Sequence, residues 1–276
     1  MAKSSNKARY GRVFGIIGVI IVIFLIIIIS KSPTTNNSSA TDGKASAKIV
    51  TQITTIPSSI SNQIGNGSST LKASAISGKT FVASNGLPNI LYMGAEYCPY
   101  CAAERWPMIV ALSRFGTFSN LGTTHSSSSD VYPNTQTFSF HGSSYTSKYI
   151  VFTPVEEYTN IPNSSGYTTL DIPTATEQSL MSTYDAPPYV SSSEQGSIPF
   201  IYFAGKYLIV GATYSPQVLQ NQTYQSIANA LSNPKSTIAQ GVLGAANNLT
   251  ATICKLTNNQ PSSACTPTIV GLEASL

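Results

Sequence analysis

Cys98 and Cys101 are separated by two residues in the stretch LYMGAEYCPYCAAERW, residues 91–106. The apolar residues before Cys98 are typical of a short buried strand, and the residues from Pro99 onwards favour a helix. Pro107 is expected to kink that helix, because proline supplies no backbone N–H. The pattern therefore predicts a strand that ends at a pair of thiols, with Cys98 at or just before the helix N-terminus.

A second patterned stretch, SIPFIYFAGKYLIVGATYSP, occupies residues 197–216. Two runs of apolar and aromatic residues flank Ala204-Gly205-Lys206, a sequence typical of a turn between antiparallel strands. Ser215-Pro216 then favours a helix start, and apolar residues follow at helical spacing. The stretch therefore predicts a strand, a turn, a strand and a helix, entered through Ile198-Pro199.

Residues 13–30, VFGIIGVIIVIFLIIIIS, contain no charged side chain. As a helix this run would span about 27 Å, close to the thickness of a bilayer core. Four cations and no acid precede it in residues 1–12, which predicts a cytoplasmic basic tail and an outward-facing remainder. A cleaved signal peptide is the competing interpretation, but SKSPTT offers no small-residue cleavage site. We therefore predict a single-pass anchor in the cell membrane.

The charged residues are few and are balanced outside the N-terminus. The chain has 15 basic and 11 acidic residues, and four of the basic ones lie in residues 1–12. The rest of the chain therefore carries eleven charges of each sign, and no basic surface for nucleic acid is expected.

The domain boundaries follow from changes in composition. Residues 31–47 have almost no large apolar side chains, and we predict a polar stalk or linker over residues 31–70. The globular domain is expected at residues 71–276. Within it, the segment of about 117–197 combines β-type alternation with turn residues, which indicates a long insertion rich in strands and loops.

An outward-facing domain permits disulfide bonds, and the chain has four cysteines, an even number. Cys254 and Cys265 have the spacing of the two ends of a closed loop. Such a bond would stabilise the fold by about 3 kcal/mol in the chain-entropy model. We predict a structural disulfide in the C-terminal tail. A second redox pair that relays electrons to Cys98 is the alternative.

Glycosylation is a further expectation for an outward-facing domain. Asn163, Asn221 and Asn248 each begin an N-x-[ST] sequence within the predicted globular part. Because such sequences are acceptors of N-linked glycans, these three residues are candidate sites and the protein is a candidate glycoprotein.

The order of these segments resembles the thioredoxin-like fold. The residues that carry the resemblance are Cys98-Pro99-Tyr100-Cys101, Ile198-Pro199-Phe200, the hairpin at 200–210 and the helix after Pro216. The wider pattern, with GAEYCPYCAAERW and an anchor, resembles an archaeal family of membrane-anchored thioredoxin-like proteins. The fold class it implies is α/β: a thioredoxin-like domain with the insertion, preceded by one transmembrane helix. CPYC departs from the thioredoxin CGPC and also resembles glutaredoxins, whose cytosolic glutathione does not suit an outward-facing domain.

The resemblance implies a role for each residue of the motif. Cys98 would be the exposed nucleophile that forms a mixed disulfide with a partner protein, and Cys101 would resolve it. Pro99 and Tyr100 would adjust the redox potential. A cis Ile198–Pro199 bond would pack against the dithiol and leave nearby backbone for an extended substrate. No cofactor is implied.

Two other interpretations of the C-x-x-C pair need consideration. A zinc site needs about four ligands, and His125 and His141 do not have the spacing of a zinc finger, so we predict no metal. An inert structural bridge remains an alternative, although the loop between Cys98 and Cys101 is too short to constrain much of the unfolded chain.

The sequence thus favours a membrane-anchored, extracytoplasmic thiol–disulfide oxidoreductase that oxidises or isomerises secreted or surface proteins. Its expected partners are the thiols and disulfides of those proteins, the membrane through residues 13–30, and an electron-exchange partner within the membrane. A non-enzymatic surface module that uses a thioredoxin-like scaffold for binding is the competing hypothesis.

Overall fold

The computed structural model describes residues 43–276. The strands are β1 (Gly43–Lys44), β2 (Ser74–Ala75), β3 (Asn89–Gly94), β4 (Gly116–Ser119), β5 (Gly122–His125), β6 (Gln136–Ser139), β7 (Ser144–Ser147), β8 (Val151–Glu156), β9 (Tyr158–Asn163), β10 (Gly166–Thr169), β11 (Phe200–Phe203) and β12 (Tyr207–Val210). The helices are α1 (Ala47–Thr54), α2 (Ser58–Ile64), α3 (Pro99–Ser113), α4 (Ala175–Tyr184), α5 (Tyr224–Ala230), α6 (Thr237–Leu256) and α7 (Pro267–Leu272).

The predicted membrane helix at residues 13–30 and the basic tail before it lie outside the described residues. Between residues 43 and 276, no helix combines the length and the apolar character needed to cross a bilayer.

A mixed five-stranded sheet, in the order β2-β12-β11-β3-β8, lies at the centre of this α/β fold. β3 is parallel to β8 and antiparallel to β11, and β11 and β12 form the predicted hairpin. Every residue of β3 is buried, because the sheet is covered on both faces. One face packs on α3 and α6, while Leu180 and Tyr184 of α4 pack on Leu91 and Met93 on the other.

The predicted helix after the dithiol begins at Pro99 and continues through Pro107 to Ser113. Proline suits the first helical position, where an N–H would have no partner within the helix. Nearly every residue of α3 is buried, since the sheet, β6 and α6 enclose it. Trp106 lies in this core and donates its indole N–H to the Gln136 carbonyl at 3.0 Å. α3 therefore holds the dithiol on a rigid, central element.

The prediction of a polar linker over residues 31–70 is wrong for residues 43–70. Ile53 of α1 is fully buried, and Ile64 of α2 joins the same core. Asn247 on α6 donates to the Ser61 carbonyl at 2.8 Å. The few apolar residues of this segment lie on one side of short helices, so they bury together although the composition is polar.

The segment 117–197 is not a single insertion. Its strand β8 pairs with β3 along the whole length from Asn89 to Gly94 and is part of the central sheet, and α4 covers the other face of that sheet. The added structure consists instead of three small antiparallel units, namely β5–β6 with β1, β4–β7, and β9–β10.

The C-terminal region is more helical than predicted. The helix expected after Ser215-Pro216 is divided into a 3₁₀ turn at Pro216–Leu219 and α5, which starts at a new cap on Thr223. The predicted tail contains the long buried helix α6. Gly244 lets this helix approach the turn that follows α2, because a Cβ there would lie 2.4 Å from the Asn66 carbonyl oxygen.

Candidate redox site

Cys98 caps the N-terminus of α3, and Cys101 lies in its first turn. The Cys101 backbone N–H donates to Cys98 Sγ at 3.3 Å, in place of the serine or aspartate oxygen that commonly caps a helix. Both cysteines are free thiols. Cys98 is 5% exposed and Cys101 is fully buried. The expectation of an exposed Cys98 is therefore wrong, because the residues packed around the helix N-terminus bury both cysteines.

The two thiols also differ in acidity. A hydrogen bond from the Cys101 thiol lowers the pKa of Cys98, burial opposes this, and the Cys101 N–H and the Arg105 guanidinium lower it further. Burial raises the pKa of Cys101, and the hydrogen bond to Cys98 adds to the rise. Cys98 is thus the sulfur that ionises first.

The segment before β11 lies directly against the dithiol. The Ile198–Pro199 peptide bond is cis, and the Ile198 carbonyl oxygen lies 3.7 Å from Cys98 Sγ. Phe200, the next residue, is paired with Met93 of β3. Two residues that are 100 positions apart are therefore brought into contact by adjacent strands of one sheet.

A buried ion pair lies beneath the loop that leads to Cys98. Arg105 donates through Nε and Nη2 to Glu156 at 2.8 and 2.6 Å, and both side chains are fully buried. Nη2 also donates to the Ala95 carbonyl at 2.8 Å. No motif joins these positions, which are 51 residues apart, and sequence reasoning missed them.

Two glutamates, Glu96 and Glu104, flank the C-x-x-C motif, and each is held by hydrogen bonds. Glu104 Oε2 accepts from the Thr213 N–H and hydroxyl, both at 2.8 Å, and burial raises the pKa of Glu104 to about 8. The backbone N–H of Glu96 donates to the Tyr158 carbonyl at 2.8 Å, which ties the loop before Cys98 to β9.

Tyrosines from the added segments contact Tyr97 and Tyr100, which are next to the cysteines in sequence. Tyr97 stacks on Tyr167 of β10 with ring centroids 4.1 Å apart, and Tyr158 of β9 lies 6.3 Å from Tyr97. Tyr100 of the motif makes an edge contact with Tyr132 at 6.1 Å. Tyr100 and Tyr158 remain 41% and 38% exposed. We call these five residues, which form two contact groups, the aromatic rim; only the folded chain brings them together.

Cys254 and Cys265 form a disulfide bond between the end of α6 and the residue before Thr266, the N-cap of α7. Cys254 is buried within the core that α6 forms with α3. The bond thus joins two elements of the scaffold.

The candidate glycosylation sites divide into two groups. Asn163 and Asn221 are exposed and remain predictions. The prediction of a glycan at Asn248 is wrong, because this side chain is only 2% exposed within α6. Its amide donates to Asn66 Oδ1 and to the Gly244 carbonyl, both at 3.0 Å, so a glycan has no access to it.

The two histidines weighed as metal ligands contact other side chains. His141 pairs with Asp171 at 2.6 Å, and His125 contacts Asn160. Across residues 43–276, no cluster of three or more histidine, cysteine or acidic residues is arranged to hold a metal ion.

A family model described as "Domain of unknown function (DUF929)" matches residues 72–255. Comparison with curated proteins and with solved structures gave no match. The matched range contains the dithiol, the central sheet, the aromatic rim and nearly all of α6. Because it covers more than half of the 276 residues, the chain belongs to the family described as Domain of unknown function (DUF929).

Proposed function

We propose that this protein is a thiol–disulfide oxidoreductase in which Cys98 is the nucleophile and Cys101 the resolving cysteine. One observation carries the proposal: the two thiols are unequal. Cys98 Sγ accepts a hydrogen bond from the Cys101 N–H at the helix N-terminus, and the pKa of Cys98 is lowered. Cys101 is fully buried, and its pKa is raised. A thiolate attacks disulfides and a thiol does not, so this inequality separates the two roles.

The chemistry exchanges one disulfide for another. The Cys98 thiolate attacks a substrate disulfide, so that a Cys98–substrate bond forms and one substrate thiolate leaves. Cys101 then loses its proton and attacks Cys98 Sγ, which forms the Cys98–Cys101 bond and releases the second substrate thiolate. Two electrons pass from the protein to the substrate. The reverse sequence, from the Cys98–Cys101 disulfide and a substrate dithiol, oxidises the substrate.

We also propose that the domain is a variant of the thioredoxin-like fold. The order of elements supports this: β3, the dithiol, α3, the parallel strand β8, α4 and the β11–β12 hairpin. The position of Ile198-Pro199 against Cys98 agrees with the same interpretation. The small antiparallel units between α3 and β8 and after β8 are additions to that pattern.

The proposed location is the outer face of the cell membrane. The uncharged run at residues 13–30 and the cations before it support an anchor with a cytoplasmic N-terminus. The Cys254–Cys265 disulfide is in keeping with an oxidising compartment. In that compartment the proposed reaction is oxidation or isomerisation of secreted and surface proteins, and a redox partner in the membrane would recycle the pair.

A second candidate function is a surface module that binds a partner without redox chemistry. The observations that favour it are the 5% exposure of Cys98 and the exposed tyrosines Tyr100 and Tyr158 beside it. A binding role would need the aromatic rim and would not need the thiols.

The experiment that decides between them uses the full-length protein in detergent. A redox titration against a defined thiol buffer should show a reversible two-electron transition, which is lost in Cys98→Ser. Cys101→Ser should trap a substrate peptide on Cys98, because the second attack is removed. If neither transition nor trapping occurs while partner binding survives Cys98→Ser, the binding module is the better description.

A further inference from the structure

A cavity of about 260 Å³ lies at the end of β3, on the face of the sheet that α4 covers. It is open to solvent on one side. Its walls include two carboxylates, Glu157 and Asp185, and the amides of Gln178 and Gln195. The volume greatly exceeds the roughly 10–15 Å³ that a single water requires. The space therefore suits a side chain rather than a bare ion.

Asp185 is a buried carboxylate without a partner. It is 2% exposed, and neither carboxylate oxygen has a hydrogen-bond partner among the described residues. Burial raises the pKa of Asp185 to about 6, although the nearby Gly196 N–H offsets part of the rise. An unpaired carboxylate in such a place destabilises the fold. A cationic group bound in the cavity would offset this cost.

Glu157, the second carboxylate of the cavity, is half-buried, and burial raises its pKa above the ordinary value. Within residues 43–276, the carboxylates that contact a basic side chain are Glu156, with Arg105, and Asp171, with His141. Neither Glu157 nor Asp185 is therefore paired with a cation there. Two unpaired acids beside one cavity favour a positively charged occupant.

The cavity is close to the dithiol. Gly196 in its wall precedes Ile198 by two residues, and two residues span at most about 7 Å. The Ile198 carbonyl oxygen lies 3.7 Å from Cys98 Sγ. An extended substrate advances about 3.3 Å per residue, so the cavity is within reach of a side chain three or four residues from the substrate cysteine.

We propose that this cavity is a specificity pocket for a lysine or arginine side chain of the substrate polypeptide, located three or four residues from the cysteine that Cys98 attacks. The proposal rests on the proposed oxidoreductase function. Glu157, which is half-buried, contacts the cationic head, and the enclosed carboxylate of Asp185 attracts it through its charge. Met93 and Met181 pack on the apolar stem of the side chain.

The test measures the rate at which the full-length reduced protein attacks two disulfide-bonded peptides that differ only by lysine or glutamine, three residues from the cysteine. We expect the wild type to react faster with the lysine peptide by about tenfold. Asp185→Asn preserves shape and removes the charge, and it should abolish most of this preference. Its rate with the uncharged 2-hydroxyethyl disulfide should not change, which shows that the dithiol and the fold are intact.

Glu194→Gln is the matched control, because it removes one negative charge from an exposed residue of the neighbouring loop, outside the cavity. It should keep the lysine preference. Equal rates for the two peptides in the wild type, a preference that survives Asp185→Asn, or an equal loss in Glu194→Gln would each overturn the pocket. A protein that attacks no disulfide at all would instead overturn the proposed function.

Discussion

Arg105 and Glu156 join the helix that carries the dithiol to the strand beside it, through two hydrogen bonds of 2.8 and 2.6 Å between fully buried side chains. The same guanidinium donates to the Ala95 carbonyl, three residues before Cys98, and lowers the pKa of Cys98. The ion pair thus connects the shape of the loop and the acidity of the thiol to the packing of α3 on the sheet.

Removal of one member of this pair should be costly. Glu156→Gln leaves the Arg105 charge buried and without its counter-charge, and we expect the free energy of unfolding to fall by about 3–5 kcal/mol. Urea denaturation of the purified protein measures the change. His141→Gln removes a partly exposed contact with Asp171 and should cost much less. Similar losses of unfolding free energy in the two variants would contradict the view that the Arg105–Glu156 pair depends on its buried counter-charge.

The Cys101 thiol should control the acidity of Cys98, since its hydrogen bond is the largest cause of the lowered pKa. Cys101→Ala removes this donor, so Cys98 should ionise at higher pH. Cys101→Ser keeps a donor at the same position and should lie closer to the wild type. The pH dependence of iodoacetamide alkylation gives the midpoint for each protein. A wild-type midpoint near the ordinary value of about 8.5 would contradict the expectation.

Glu104 should make the protein less stable at alkaline pH. Its pKa is raised from an ordinary value of 4.5 to about 8 in the folded protein, so between these values the folded chain keeps a proton that the unfolded chain releases. The contribution of Glu104 to the free energy of unfolding is therefore complete below about pH 4.5. It is lost as the pH rises to about 8. We expect a loss of up to about 5 kcal/mol attributable to this residue.

The measurement is urea denaturation of the wild type and of Glu104→Gln from about pH 4.5 to about pH 8. The glutamine carbonyl can still accept from the Thr213 N–H and hydroxyl, so the contact survives without the titrating proton. The difference in stability between the two proteins should move in favour of the variant as the pH rises. Parallel pH profiles would show that Glu104 titrates normally.

The Cys254–Cys265 disulfide should contribute to stability and leave the exchange reaction unchanged. It links positions that are 11 apart in sequence, and its loss in Cys254→Ala/Cys265→Ala should lower the free energy of unfolding by about 3 kcal/mol. The rate of attack of Cys98 on a small disulfide should be that of the wild type. A large fall in that rate, with the fold intact, would instead support a relay between the two pairs.

Local patterns in the sequence were sufficient for several elements near the site. The strand before Cys98, the helix from Pro99 and the β11–β12 hairpin all appear where the sequence predicts them. Each of these elements depends on side chains within a few positions of one another, through helix caps, turn residues and the spacing of apolar residues. The local sequence is therefore enough to predict them.

The sequence by itself therefore determined the dithiol, its place at a helix start and the hairpin that follows Ile198-Pro199. Only the tertiary structure decided the place of β8 in the central sheet, the burial of Ile53 and Ile64, the Arg105–Glu156 pair and the cavity beside Asp185. These features join residues that are distant along the chain. Their positions depend on how the elements pack, because no local propensity records which buried charge will meet which partner.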